Sequence, residues 1–319
     1  MKKMINNVIV SGRVYDHSLA IKTTGATSKK PGTEYINGTL DVAVDNEGYN
    51  IVSVNFTYVT ALTSKGTKNA TYGILKSIID ENKTVLNVGA DAATIVSITG
   101  SIGLNEFYTN RNGEEELVSA KRVEGSFVKT LKFMPKNEDE RNLFECDMLI
   151  NGTRLVEADP EKNIDEDYLV VKGAIFNFKN AILPVEFIIK GEKGIQYFEN
   201  LEASSKNLVF SKIWGRLNYQ TISVKKVEEA EFGEPVVKEY ERKIKEWIIN
   251  RAKSGVPVGD ENSITEEEIA KCLADREVYL ADIKKRAEDY RNSQAAAKAG
   301  TATQTSTNTI SAAAGGFNF

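Results

Sequence analysis

Residues 95–128 read IVSITGSIGLNEFYTNRNGEEELVSAKRVEGSFV. Two segments rich in Val, Ile and Leu, interrupted by Ser, Thr and Gly, flank a polar connection that carries Phe107, Tyr108 and Asn112-Gly113. Such segments suit pleated, partly buried strands, and Asn-Gly supplies the positive φ of a tight turn, so the stretch reads as a long β-hairpin. Both arms recur. Val96–Asn105 (VSITGSIGLN) is echoed by Val209–Asn218 (VFSKIWGRLN), and Ser119–Phe127 (SAKRVEGSF) by Ser223–Phe232 (SVKKVEEAEF). The chain reads as one β-fold used twice.

Upstream of the hairpin, Ile5–Tyr15 is a strand with Gly12 as a bend or bulge, and Asp16–Thr33 a long mobile loop. Tyr35–Val44 and Asn50–Leu62 are two further strands. In the latter Val52, Val54, Phe56 and Tyr58 share one face and Ser53, Asn55 and Thr57 the other, because side chains alternate along a strand. Asn69–Glu81 changes to a helical period through Tyr72, Leu75, Ile78 and Ile79. The order strand, strand, strand, helix, strand, strand is that of the OB-fold, a five-stranded barrel that binds oligonucleotides on its second and third strands and on the loops joining strands one to two and four to five.

The second copy is expected to use Leu143–Ile150, Tyr168–Phe178 and Ala181–Lys190, with Pro184 marking an edge or bulge. Only a short helix fits at Gln196–Leu201, so this barrel reads as trimmed. Tyr240, Ile244, Trp247 and Ile248 then mark an amphipathic helix, and Ser263 or Thr265 caps a second one through the pairs Ser263-x-x-Glu266 and Thr265-x-x-Glu268. Its seam is Ile269, Leu273, Arg276, Leu280, Ile283, Ala287 and Tyr290, a weak coiled-coil pattern or a face packed on a neighbouring domain or second subunit. From Gln294 onward Ala, Thr, Ser, Gly, Gln and Asn cannot bury enough apolar surface to offset the entropy of ordering. The expected fold class is mainly β: two OB-fold-like five-stranded barrels over residues 1–135 and 136–233, an α-helical region over 234–293, and a disordered tail over 294–319.

A chain of 319 residues with 41% hydrophobic content can bury a core. The formal charge of −4 argues against a strongly basic nucleic-acid binder, yet residues 1–137 hold 16 basic against 13 acidic side chains, while 138–170 hold 3 against 11. Cys146 and Cys272 lie far apart in apolar patterns and read as buried thiols. His17 is the sole histidine, which excludes a His-based relay or a multi-His metal site. No cofactor is called for. No segment approaches the ~20 apolar residues that span a bilayer, and the start carries no signal peptide, so a cytoplasmic location is expected.

Bases stack on aromatic rings at about 1–3 kcal/mol each, and Lys or Arg neutralise the phosphates between them. The candidates are Tyr35 and Tyr49 near the ends of the second and third strands, and Phe107, Tyr108 and Arg111 on the hairpin connection. Lys22, Lys29 and Lys30 on the first loop, Lys65 and Lys68 after the third strand, and the pair Lys121-Arg122, echoed as Lys225-Lys226, add charge. Phe107 and Tyr108 carry most weight, since a core role for both beside a polar turn is awkward. Phe56, Tyr58 and Tyr72 are assigned to packing.

Ile5–Leu19 (INNVIVSGRVYDHSL), Asn37–Asn46 (NGTLDVAVDN) and Val96–Phe127 resemble the first strand, second strand and final hairpin of bacterial and phage single-stranded DNA-binding proteins. The resemblance implies a non-enzymatic protein that covers single-stranded DNA in replication, recombination and repair, in the host cytoplasm if phage-encoded. It puts Tyr49 near a turn that often bears a stacking aromatic, and Phe107 and Tyr108 on the strand four to five connection where the family carries one. The family ends in a disordered tail whose terminal phenylalanine recruits replication and repair proteins. Phe319 matches that terminal phenylalanine, without the acidic residues that normally precede it, and Phe317 and Phe319 are the candidate partner-binding residues; a repeated barrel and helical region look like a larger phage-type protein. The rivals are an assembly protein whose barrels make protein contacts, and a nuclease using Asp165-Glu166-Asp167 to bind Mg²⁺. The sequence leaves the homo-oligomeric state open.

Overall fold

The computed structural model describes residues 3–305 except 27, 112–113, 160–161, 163, 229–231 and 233–235. It is mainly β. The chain forms two compact units, one of residues 1–104 with 121–273, the other of 105–120 with 274–319.

The larger unit begins with β1 (Asn6–His17), whose Val8, Val10 and Val14 point inward at the strand period of two. β2 (Ala20–Thr23) follows, then β3 (Glu34–Ala43), β4 (Ile51–Thr60), helices α1 (Ala70–Glu81) and α2 (Val85–Val88), β5 (Ile95–Arg111) and β6 (Glu114–Leu131). β1 pairs antiparallel with β3 and β5, β3 with β4, β5 lies beside β6, and β4 runs parallel to β6 at Val54–Val123. These pairings close a five-stranded barrel with α1 between its third and fourth strands, which is the OB topology. Asn69 caps α1 by accepting the Thr71 amide at 3.1 Å. The segment read as a loop over 16–33 contains β2, which adds to the free edge of β3 from Ala20–Asn37 to Thr23–Glu34; its side chains are all exposed, so no apolar pattern announces it. Gly12 makes a close approach rather than a bulge: a Cβ there would lie 2.0 Å from the Ala43 carbonyl oxygen, while the register shift falls two residues later, between Val14 and Asp16.

The second barrel repeats this plan with β7 (Asn142–Val156), β8 (Tyr168–Phe176), β9 (Ile182–Lys190), α3 (Glu192–Glu199), β10 (Val209–Glu228) and β11 (Val236–Ala252). β7 pairs with β8 and β10, β8 with β9, β10 with β11, and β11 runs parallel to β9 at Ile248–Ile188. This barrel is complete, not trimmed, and its fifth strand is the stretch that the sequence assigns to an amphipathic helix. KIKEWIINRA satisfies both periods locally; sixteen residue pairs of register with β10 decide for strand, and alternation then buries Trp247 and Ile249. The second barrel therefore extends past 233 to Ala252. β9 has β11 beside it only at Ile188, so Pro184 sits where one edge is free, as expected.

The two barrels are not separate domains. β1 and β7, the first strand of each, pair antiparallel from Asn6–Cys146 to Val10–Asn142, and the two interiors join in one hydrophobic core. Gly100 and Gly215 are the equivalent positions of the repeat. A Cβ at either would lie 2.1 Å from a fifth-strand carbonyl oxygen, that of Glu124 or Ile248. The sequence echo of the first arm is thus displaced by two residues, and the echo of the second arm falls on β10 itself rather than on β11.

Beyond the barrels come β12 (Val256–Pro257) and α4 (Glu266–Thr305), so the helical region begins at 266, not 234. Thr265 and Glu268 cap α4 reciprocally, each backbone N–H donating to the other's side chain at 3.2 Å, the capping box expected for this pair. Ile269 and Cys272 join Met4, Phe176 and Phe210 in a second cluster of the larger unit. Helical backbone runs on to Thr305, past 294, through an alanine-rich stretch of high helix propensity; residues 306–319 lie outside those described. Cys146 and Cys272 are buried free thiols, and burial pushes the Cys146 thiol up.

Candidate nucleic-acid interface

In the first barrel the second and third strands, β3 and β4, carry an open outer face. Tyr35 and Tyr58 meet there with ring centroids 4.7 Å apart and an interplanar angle of 41°. Tyr58 is 50% exposed, although its parity with Phe56 assigns it to the core. The reason is a bulge. Ile36 pairs with Val59 but Gly38 with Phe56, so two residues of β4 oppose one of β3 and the faces exchange. Val59 turns inward, Tyr58 outward, and the Asn37 amide donates to the Thr57 carbonyl at 2.9 Å within the bulge. Phe56 and Tyr72 are buried as expected, and Tyr72 donates to Glu34, which pushes its hydroxyl up to about 12.

Lys22 on β2 is the register partner of Tyr35 and donates to Asn37 at 3.1 Å. Lys29 and Lys30 are exposed on the loop that follows β2, folded back by bonds from Thr24 and Thr33 to the Lys30 carbonyl at 2.5 and 3.0 Å. Further along the same face come Thr39 with Asn55 and Asp41 with Ser53. This polar end opens into a cavity of about 460 Å³, lined by Asp16, Asp41 and Tyr49 from the first barrel and Tyr219, Gln220 and Lys245 from the second. Tyr49 is 67% exposed on a turn in which Asp45 accepts the amides of Gly48, Tyr49 and Asn50. Lys65 and Lys68 are exposed on the turn after β4.

The other expected residues are elsewhere. Phe107 and Tyr108 lie on β5 itself, in the smaller unit, and as strand neighbours they face opposite ways. Phe107 is exposed, whereas Tyr108 lies under the Lys284 ammonium of α4 at 6.0 Å, beside the buried Glu106–Arg276 ion pair. The Arg111 side chain, the Asn112-Gly113 turn, and Phe317 and Phe319 lie outside what is described. Arg122 is tied to Glu124 at 2.7 Å.

Lys121 does not line the groove. Its ammonium donates to the Glu186 carbonyl and sits 5.3 Å from the Trp247 ring centroid and 5.7 Å from that of Phe187. Burial pushes this amine down to about 8, against 10.5 in the unfolded chain. A depressed lysine pKa makes the unfolded state bind more protons, so stability rises with pH across the interval from about 8 to 10.5. The shift corresponds to about 3 kcal/mol. We expect Lys121→Met to flatten this rise in urea midpoints measured from pH 7 to 10; an unchanged pH profile would show the amine to be solvated.

A family model described as YorF matches residues 5–286, most of the chain. The chain belongs to the YorF family. Among curated proteins no sequence matches. Of solved structures, a deletion mutant of the single-stranded DNA binding protein from Thermus aquaticus is 12% identical with a TM-score of 0.44, over 80% of this YorF-family chain and 97% of its own. The wild-type form of the same protein is 11% identical with a TM-score of 0.42, over 79% and 93%. Among the described residues of the YorF-family chain, no helix is long and apolar enough to cross a membrane, and no group of three or more His, Cys, Asp or Glu is placed to hold a metal ion. Of the acids considered for Mg²⁺, Glu166 pairs with Lys190 at 3.4 Å and Asp167 accepts the Ala158 amide at 2.7 Å.

Proposed function

We propose that this protein binds single-stranded DNA without acting on it chemically, in phage-type replication or recombination, and that its C-terminal residues recruit partner proteins. The observation that carries the reading is the Tyr35–Tyr58 pair on the outer face of the strands that bind oligonucleotides in OB-folds, with Tyr58 exposed and Tyr35 half-buried beside it. Its rings offer stacking platforms to bases of any identity, and Lys22, Lys29 and Lys30 border it with positive charge. Thr39, Asn55 and Ser53 continue the face with neutral polar groups toward Tyr49, with Asp41 as the one carboxylate among these register pairs.

Fluorescence anisotropy with labelled oligo-dT tests this directly. We expect binding that favours single strand over duplex and weakens with salt. Each lysine that contacts a phosphate adds about 0.7 to the slope of log affinity against log salt, so changing all three to glutamine should lower it by about 2. No binding at low salt would sink the reading and leave protein contacts as the use of the barrels.

A further inference from the structure

We propose that the second barrel holds its own single-strand subsite, centred on Trp214 and lying on the outer face of β7, β10 and β11 rather than on the face homologous to Tyr35 and Tyr58. This rests on the single-strand binding proposed above. The homologous face, β8 and β9, is spent otherwise. Ala174 and Phe176 are buried under the cluster that includes Ile264 and Ile269, and Lys172–Glu186 and Lys190–Glu246 pair at 3.6 and 3.3 Å. No exposed aromatic interrupts them among the described residues of those two strands.

The register across β7, β10 and β11 builds two adjacent rungs on one face. Glu145, Trp214 and Arg251 form the first; Asp147, Lys212 and Lys253 the second, with the Lys253 amide donating to the Lys212 carbonyl at 2.8 Å. The Arg251 guanidinium lies 4.2 Å from the Trp214 ring centroid and the Lys212 ammonium 6.0 Å. Lys212 is shared with Glu145 at 3.2 Å and Asp147 at 4.0 Å. Arg251 and Lys253 are exposed, and no carboxylate partner is seen for either among the described residues. Beside them opens a cavity of about 500 Å³, floored by Met4, Phe210 and Val256 and edged by Lys3, Lys212 and Lys253. An indole stacked on a guanidinium is a platform for a base, and two unneutralised cations one rung apart suit the phosphates that flank it. Charge and stacking together favour a polyanion that carries aromatic rings over a protein surface.

The chain has two tryptophans, and Trp247 is 2% exposed and out of a ligand's reach, so a change in indole emission on adding oligo-dT reports on Trp214. Oligo-dT is expected to quench that emission in the native chain and in Trp247→Phe, but not in Trp214→Phe, which still binds by anisotropy through the first barrel. Arg251→Gln with Lys253→Gln should lower the salt slope by about 1.4. Anisotropy binding with unchanged emission and slope would overturn the subsite while single-strand binding stands. Loss of anisotropy binding in the native chain would instead remove the reading on which the subsite rests. Emission that shifts with protein concentration and not with oligo-dT would also overturn it, by showing that a second copy covers this face.

Discussion

The double variant Tyr35→Ala, Tyr58→Ala is expected to bind oligo-dT at least about thirtyfold more weakly than the native chain, with its urea midpoint nearly unchanged. Removing a stacking ring costs about 1–3 kcal/mol per base, and the lower bound for two rings is about 2 kcal/mol, or about thirtyfold in affinity. The rings touch each other at 4.7 Å and stand on the outer face, so little core packing is lost with them. Because they are in contact, the single variants should not add: the remaining ring loses its neighbour as well as its base. Tyr49→Ala, at the opposite end of the β3–β4 hairpin on the rim of the cavity between the barrels, should weaken binding less. An affinity within threefold of native in the double variant would show that the strand does not cross this face. Titration by anisotropy at a single fixed salt concentration, with urea unfolding alongside, separates the two outcomes.

Phe144→Ala should cost about 3–5 kcal/mol of stability, the range for truncating a buried aromatic ring. Phe144 is 1% exposed, stacked on Phe187 at 5.0 Å and tilted to Trp247 at 6.4 Å. Its ring occupies the space that Gly215 leaves: a Cβ there would come within 2.3 Å of it. The residue also belongs to β7, which pairs with β1, β8 and β10 and so joins the two barrels. A cavity at this point removes contacts from both, and one cooperative transition at lower urea is expected. Two separate transitions, or a loss under about 1 kcal/mol, would mean that the barrels unfold independently and that the shared core contributes little.

The fold was legible where local period and topology agreed. Val8, Val10 and Val14 alternate in β1, and Tyr72, Leu75 and Ile78 recur at helical spacing in α1; both are buried as read. The second use of the fold was legible in the Val209–Asn218 echo, but its ends were not. β11 carries Lys, Glu and Arg between Tyr240, Ile244 and Trp247, a pattern that suits an amphipathic helix until β10 is laid beside it. At the candidate interface Tyr35, Tyr49 and Lys22 are named by the sequence from their places near strand ends and loops, and the structure sets Lys22 opposite Tyr35 in register and Tyr49 on the β3–β4 turn. Tyr58 was missed because a bulge exchanges the faces of β4, and a bulge is a property of two strands in register. The polar turn beside Phe107 and Tyr108 makes a core role for both awkward and so sets them together in the sequence; the strand that holds them divides them between exposed surface and helix contact. Trp214 carried a usable signal, since the alternation of Phe210, Lys212, Trp214 and Arg216 along β10 already sets it beside two cations.

By itself, the sequence determined the number of barrels, the order of strands and helix in the first of them apart from β2, and the buried alternating residues of β1 and of β4 as far as Phe56. These follow from short-range periods and turn residues, whose energetics act within a few positions of the chain. Tertiary structure alone decided that β1 and β7 fuse the barrels into one core, that β11 is a strand, and which of the tyrosines and lysines reach the surface. Lys121 lies between Phe187 and Trp247 of the other barrel, and Tyr58 faces out, because of register between residues far apart in sequence. Register is set by which pairing buries the most apolar surface while satisfying the backbone, and that sum is taken over the whole sheet.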